Sequence, residues 1–186
     1  NYTVNLSSNS PICYGDTLRL QANFIANSQY QWTNSVGNVL GNQRNLNLFN
    51  PSTQNYILQW TSPLGCKQVD SLQAEVYAPP RIDSLIFQGD LCVNGNQGFE
   101  IWPTIAIGDN DQLSYTWVTP RRGNFFDSIL IVQNADVDDA GQYTLEVQDQ
   151  NGCISSIVGL NIQLYEIPSI PVISQSVSAC EGEDII

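Results

Sequence analysis

The chain has 186 residues, 42% of them hydrophobic and only 13% charged, a globular composition with room for one large or two modest domains. Six Lys and Arg against eighteen Asp and Glu give a formal net charge of -12, and there is no histidine, which disfavours nucleic acid and anionic membranes as partners and makes a zinc site very unpromising. No run approaches the ~18 apolar residues of a membrane span, and with no basic and apolar leader the sequence is expected to begin inside a mature or excised product.

Cys13 is followed by Gly15 and by the alternating run Leu18, Leu20, Ala22 and Phe24, the pattern of a strand with one buried face. Next comes Tyr30-Gln31-Trp32, where a period of two sets Tyr and Trp on one face. Tyr56, Leu58 and Trp60 alternate ahead of Leu64-Gly65-Cys66, then Leu72, Ala74 and Val76 alternate, and Ala78-Pro79-Pro80 breaks the pattern as a linker would.

The same order then returns. Cys92 precedes Gly95 and the run Phe99, Ile101, Ile105, Ile107; Tyr115-Thr116-Trp117 matches Tyr30-Gln31-Trp32; Tyr143, Leu145 and Val147 match Tyr56, Leu58 and Trp60. Leu160, Ile162 and Leu164 alternate past Cys153, and Ile167-Pro168 closes the unit. In both halves a tyrosine precedes a cysteine by ten positions, Tyr56 before Cys66 and Tyr143 before Cys153, the length of one strand plus one tight turn. Cys66 and Cys92 are 26 positions apart and Cys153 and Cys180 are 27 apart, so Cys180 takes the place of Cys13 and Cys92 in a third repeat. Many short strands separated by Asn, Gly, Ser and Pro turns, with no helical periodicity, predict an all-β chain of tandem β-sandwiches. The expected units are 1–78, 79–167, and 168–186 as a linker with the start of a truncated third repeat.

A tyrosine set after the turn Asp138-Asp139-Ala140-Gly141 resembles the tyrosine corner of immunoglobulin-like domains. That resemblance makes Tyr56 and Tyr143 the residues that bond back to the turn, and Trp32 and Trp117 the core tryptophans of the third strand. C-x-G before the second strand, Tyr-x-Trp on the third, and L-G-C or N-G-C after the sixth are similar to the tandem immunoglobulin-like or PKD-like repeats of large Bacteroidota surface proteins, found in gliding-motility adhesins and other type IX secretion cargo. The resemblance covers nearly the whole chain. It implies a head-to-tail string at the cell surface or outside the cell, serving as a stalk or filament shaft that spaces an adhesive or motile tip from the cell. Its partners would be neighbouring repeats of the same chain, with lateral copies, surface glycans or proteins beyond them, without nucleic acid, membrane insertion or cofactor. The alternative is a carbohydrate- or protein-binding accessory module of a secreted enzyme. An active site in this chain itself is not expected, since a Ser or Cys nucleophile normally needs a base such as the missing histidine.

The five cysteines form no C-x-x-C pair, so disulfides in an oxidising compartment, and therefore export, explain them best. Counting favours Cys13–Cys66 and Cys92–Cys153 within the repeats. Sandwich topology leaves a junction bond from Cys13 to Cys153 open, because the turn before the second strand and the turn after the sixth lie at opposite ends. Cys180 is expected to bond a residue beyond the chain end. Asp136, Asp138 and Asp139 read as a turn with its own side-chain hydrogen bonds, Asp109 and Asp111 as weak calcium candidates, and Arg121-Arg122 as a solvated loop. Trp102 shares an outward face with Glu100 and Thr104, which suggests packing on a neighbouring domain or glycan, or a ligand contact. Four Asp-Ser/Thr-apolar triplets, at Thr17, Ser71, Ser84 and Ser128, fit the O-glycan acceptor pattern of Bacteroidota and equally suit a turn entering a strand.

Overall fold

In the computed structural model, which describes residues 3–106 and 112–171, the alternating runs are strands. Among the described residues the only helical element is the three-residue 3-10 turn Val137–Asp139. The first set of strands comprises β1 (Leu6–Ser8), β2 (Ile12–Cys13), β3 (Thr17–Ala22), β4 (Gln29–Thr33), β5 (Val39–Gly41), β6 (Asn45–Phe49), β7 (Gln54–Thr61), β8 (Lys67–Ala74) and β9 (Val76–Tyr77). They form a three-stranded sheet, β1-β3-β6, and a four-stranded sheet, β5-β4-β7-β8.

The second set repeats this order as β10 (Arg81–Gly89), β11 (Cys92–Val93), β12 (Phe99–Ala106), β13 (Leu113–Val118), β14 (Asn124–Phe125), β15 (Leu130–Val132), β16 (Gly141–Asp149), β17 (Val158–Ile162) and β18 (Tyr165–Glu166). Its sheets are β10-β12-β15 and β14-β13-β16-β17. In each set a two-residue parallel pairing, β2 with β9 and β11 with β18, ties the second strand of the set to the last. Two sheets in the order A-B-E and C′-C-F-G make each half an immunoglobulin-like sandwich.

Each sandwich has its own core. Leu18, Leu20, Trp32, Tyr56 and Leu58 fill the first; Phe99, Ile101, Trp117, Tyr143, Leu145 and Val147 fill the second. Alternation along β7 and β16 places every second side chain inside, because successive side chains of a strand point to opposite faces. Trp32 and Trp117 are both fully buried, and each indole N–H donates to a backbone carbonyl further along the chain, Gln43 (3.1 Å) and Asp127 (3.0 Å). Burial with the donor satisfied lets a tryptophan contribute on the order of 3–5 kcal/mol. Phe99 meets Tyr143 edge to face at 5.7 Å.

One expected inward residue points outward. β3 ends at Ala22, because Asn23 is held by Asn5, Thr3 and the Tyr30 hydroxyl, and Phe24 turns into solvent with the Arg44 guanidinium over its ring.

Candidate functional site

The turns that carry Cys66 and Cys153 are built alike. In the first, the Ser62 N–H donates to the Cys66 carbonyl (2.8 Å), the Gly65 N–H to the Ser62 carbonyl (2.9 Å), and the Cys66 N–H to the Ser62 hydroxyl (3.0 Å). In the second, the Asp149 N–H donates to the Cys153 carbonyl (3.0 Å), the Gly152 N–H to the Asp149 carbonyl (3.1 Å), and the Cys153 N–H to the Asp149 carboxylate (2.8 Å). Gly65 and Gly152 share a φ of 83°, a left-handed backbone that glycine adopts without strain. Six residues of β7 from Tyr56 to Thr61, then a four-residue turn, account for the first tyrosine-to-cysteine interval.

Cys13 and Cys92 also share a setting. Each belongs to a short parallel pairing at the opposite end of its sandwich, opposite Tyr77 and Tyr165 respectively. The hydrophobic neighbours Ile12 and Val93 are buried.

The sulfurs of Cys13 and Cys153 are bonded, with Cα atoms 5.5 Å apart across 140 positions of sequence. This disulfide joins the base of the first sandwich to the turn-bearing top of the second. The within-repeat bonds Cys13–Cys66 and Cys92–Cys153 favoured by counting are therefore corrected, and Cys66 and Cys92 are exposed free thiols. The reason is distance. Ala74 at the end of β8 lies opposite Gln54 at the start of β7, so β9 and β2 sit at that end. Cys66 lies past the other end of the eight-residue β7, about 26 Å away at ~3.3 Å per residue, whereas a disulfide needs Cα atoms within about 7 Å. Only three residues, 78–80, separate β9 from β10, and Pro80 is buried.

At the base of the second sandwich the acidic turn folds on itself. The Asp138 N–H donates to the Asp136 carboxylate (3.0 Å) and the Asp136 N–H to that of Asp139 (3.1 Å). The Tyr143 hydroxyl donates to the Asp139 carbonyl (2.6 Å). In the first sandwich the Tyr56 hydroxyl donates to the carbonyl of Ser52 (3.0 Å), the position equivalent to Asp139.

Arg121 and Arg122 lie in an exposed loop, as expected, and Arg122 reaches from it to a buried carboxylate. Arg122 donates from Nε and Nη2 to the two carboxylate oxygens of Asp139 (2.7 and 2.5 Å), and from its remaining N–H groups to the Gln133 and Asn134 carbonyls (2.8 and 3.1 Å). Asp139 is 1% exposed, and a buried carboxylate requires such a partner. Thr119 sets up the clamp by accepting the Arg122 N–H (2.9 Å). The Arg122 hydrogen bonds hold the Asp139 carboxyl below the usual range against the opposing effect of burial. Burial, assisted by the Asp139 charge, pushes the Tyr143 phenol up to about 12. Arg121 pairs with Asp136 in the open, where such a contact contributes little. The clamp's only sequence signal was a pair of arginines 17 positions before a turn aspartate, and spacing alone does not join them.

Trp102 lies on β12 opposite Ile86 of β10, and the two are 40% and 50% exposed. Ser71, Ser84 and Ser128 are exposed and Thr17 is half-buried. Thr17 opens β3, Ser71 and Ser84 stand within β8 and β10, and Ser128 lies in the loop before β15. Asp109, Asp111 and Cys180 lie outside the described residues. Among the described residues no group of three or more His, Cys, Asp or Glu side chains is arranged to hold a metal.

No protein-family model and no curated protein matches the chain. Among solved structures it is similar to extracellular domains 3–5 of Drosophila OTK, at 14% identity over 89% of this chain and 62% of that one, with a TM-score of 0.52. An I-band fragment of titin (15% identity, 88% and 65% covered, TM-score 0.49) and three N-terminal domains of the highly immunogenic outer capsid protein of bacteriophage RB49 (17%, 88% and 59%, 0.47) are also similar. The chain spans about three fifths of the length of each of these structures. At such identities the likeness shows the fold: this is an all-β protein of immunoglobulin-like sandwiches in tandem.

Proposed function

We propose that the chain is a segment of a stalk or filament shaft in an exported cell-surface protein, in which the sandwiches act as spacers and the junction between them resists bending. The observation that carries this reading is the Cys13–Cys153 bond. A three-residue linker with two prolines, Ala78-Pro79-Pro80, already limits bending, and a second covalent connection beside it removes most of the remaining freedom. Each sandwich then sets a fixed length, about 30 Å for the nine residues of β16 at ~3.3 Å each. A disulfide of this kind persists in an oxidising compartment, which supports export, and tandem immunoglobulin-like domains are typical of extracellular adhesion and structural proteins.

The order C-x-G, Tyr-x-Trp, Tyr and G-C supports the finer assignment, a Bacteroidota adhesin of the gliding-motility or type IX secretion kind. The exposed Ser71, Ser84 and Ser128 are the hydroxyls that would carry O-glycans there, and peptide mass spectrometry of native material tests them. Small-angle X-ray scattering of the chain with and without reductant tests the shaft. Stiff junctions give one well-defined maximum dimension in the oxidised chain and a broader distance distribution after reduction; identical curves would remove the basis of the proposal.

A second reading rests on Trp102 and Ile86, an exposed aromatic beside an exposed aliphatic, the kind of surface on which a sugar ring stacks. It makes the second sandwich an accessory binding module. Glycan-array binding lost in Trp102→Ser would favour it over the shaft.

A further inference from the structure

The bonded and the free cysteines are related by the repeat. Cys66 stands in a turn with the hydrogen bonds and glycine φ of the turn that carries Cys153. Cys92 stands in a parallel pairing like that of Cys13. One member of each equivalent pair is bonded here and the other is an exposed thiol. Leu64, next to Cys66 in sequence but one, is 91% exposed, and an open hollow of about 660 Å³ beside it is lined by Trp60, Pro63, Leu64 and Cys66 together with the polar Ser62, Lys67 and Gln68. A further sandwich seated on this turn would cover both.

Building on the shaft reading, we infer that Cys66 and Cys92 are the two open halves of the same junction bond. Cys66 takes the base cysteine of a further sandwich of this kind set head to tail above it, and Cys92 takes the turn cysteine of one set below. Formation breaks two S–H bonds and makes one S–S bond. The oxidant is a disulfide, of an oxidoreductase in the cell or of oxidised glutathione in the tube; its S–S bond breaks as it accepts the two electrons and the two protons and leaves as two thiols.

The consequence is a covalent relay along the string. Load entering at Cys66 crosses only the 26 positions to Cys92 before leaving through the next bond, and load entering at Cys13 passes directly to Cys153. The path from Cys66 to Cys92 runs along β8 and β10 and the rest of each sandwich lies off it, so unfolding the sandwiches lengthens such a string by no more than these 26 positions allow.

The test uses copies of this chain as partners for one another, with Cys180→Ser throughout and Cys13–Cys153 left in place. Cys66→Ser and Cys92→Ser chains are oxidised with a glutathione redox buffer, separately and mixed. Each is expected to remain monomeric alone, and the mixture to give a disulfide dimer whose peptide map pairs Cys92 of the first with Cys66 of the second. Dimers of either variant alone, or no dimer in the mixture, would overturn the relay. Either result leaves the scattering test of the shaft untouched, since that test depends on Cys13 and Cys153.

Discussion

Arg122 holds Asp139 by two hydrogen bonds, of 2.7 and 2.5 Å, at the base of the second sandwich, while the aspartate is 1% exposed. A charge in that position depends on its partner. Arg122→Ala leaves the carboxylate buried and unpaired and is expected to cost the second sandwich about 3–5 kcal/mol, measured by denaturant unfolding followed through tryptophan fluorescence. A loss under ~1 kcal/mol would mean that water replaces the guanidinium.

The same pair sets an acid limit. Asp139 holds its proton less tightly in the folded chain than in the unfolded one, its carboxyl being lowered chiefly by the Arg122 hydrogen bonds. The stability it contributes is therefore present above the ordinary carboxylate value of ~4 and is lost as pH falls through the lowered folded value. Unfolding midpoints of the native chain are expected to drop below pH ~4 more steeply than those of Arg122→Ala.

Tyr143 sets an alkaline one. Its phenol is pushed up to about 12 in the folded chain against ~10 in an unfolded one. The contribution is present below pH ~10 and is lost as pH rises toward 12. Ultraviolet titration should show at least one tyrosine ionising late, absent in Tyr143→Phe. That substitution also removes the bond to the Asp139 carbonyl and is expected to cost about 1–2 kcal/mol.

The tryptophans separate by burial. Trp117 is fully buried and Trp102 is 40% exposed, so Trp117→Ala is expected to cost about 3–5 kcal/mol and Trp102→Ser less than about 1 kcal/mol. Comparable losses on calorimetry would place Trp102 in the core.

The fold was legible because its signals are local. Leu18 and Leu20, or Leu145 and Val147, alternate with a period of two, and the Tyr56 and Trp32 landmarks recur at Tyr143 and Trp117. The disulfide was legible only as an open alternative, since Cys13 and Cys153 are 140 positions apart and no local pattern says which turn meets which. Counting cysteines per repeat favoured Cys66 as the partner of Cys13; the length of β7 forbids it. The pairing of Arg122 with Asp139 is hidden for the same reason, the two being distant in sequence, and Phe24 reads as core because alternation does not reveal where Asn23 ends the strand.

Pulling single molecules from the two chain termini tests the clamped junction most directly. With Cys13–Cys153 intact, the 140-position span between the cysteines lies off the load path and contributes nothing to the extension. Reduction, or Cys13→Ser, is expected to release it and add on the order of 460–500 Å of contour length at ~3.3–3.6 Å per residue. Equal contour lengths before and after reduction would contradict the clamp, and with it the stiff shaft.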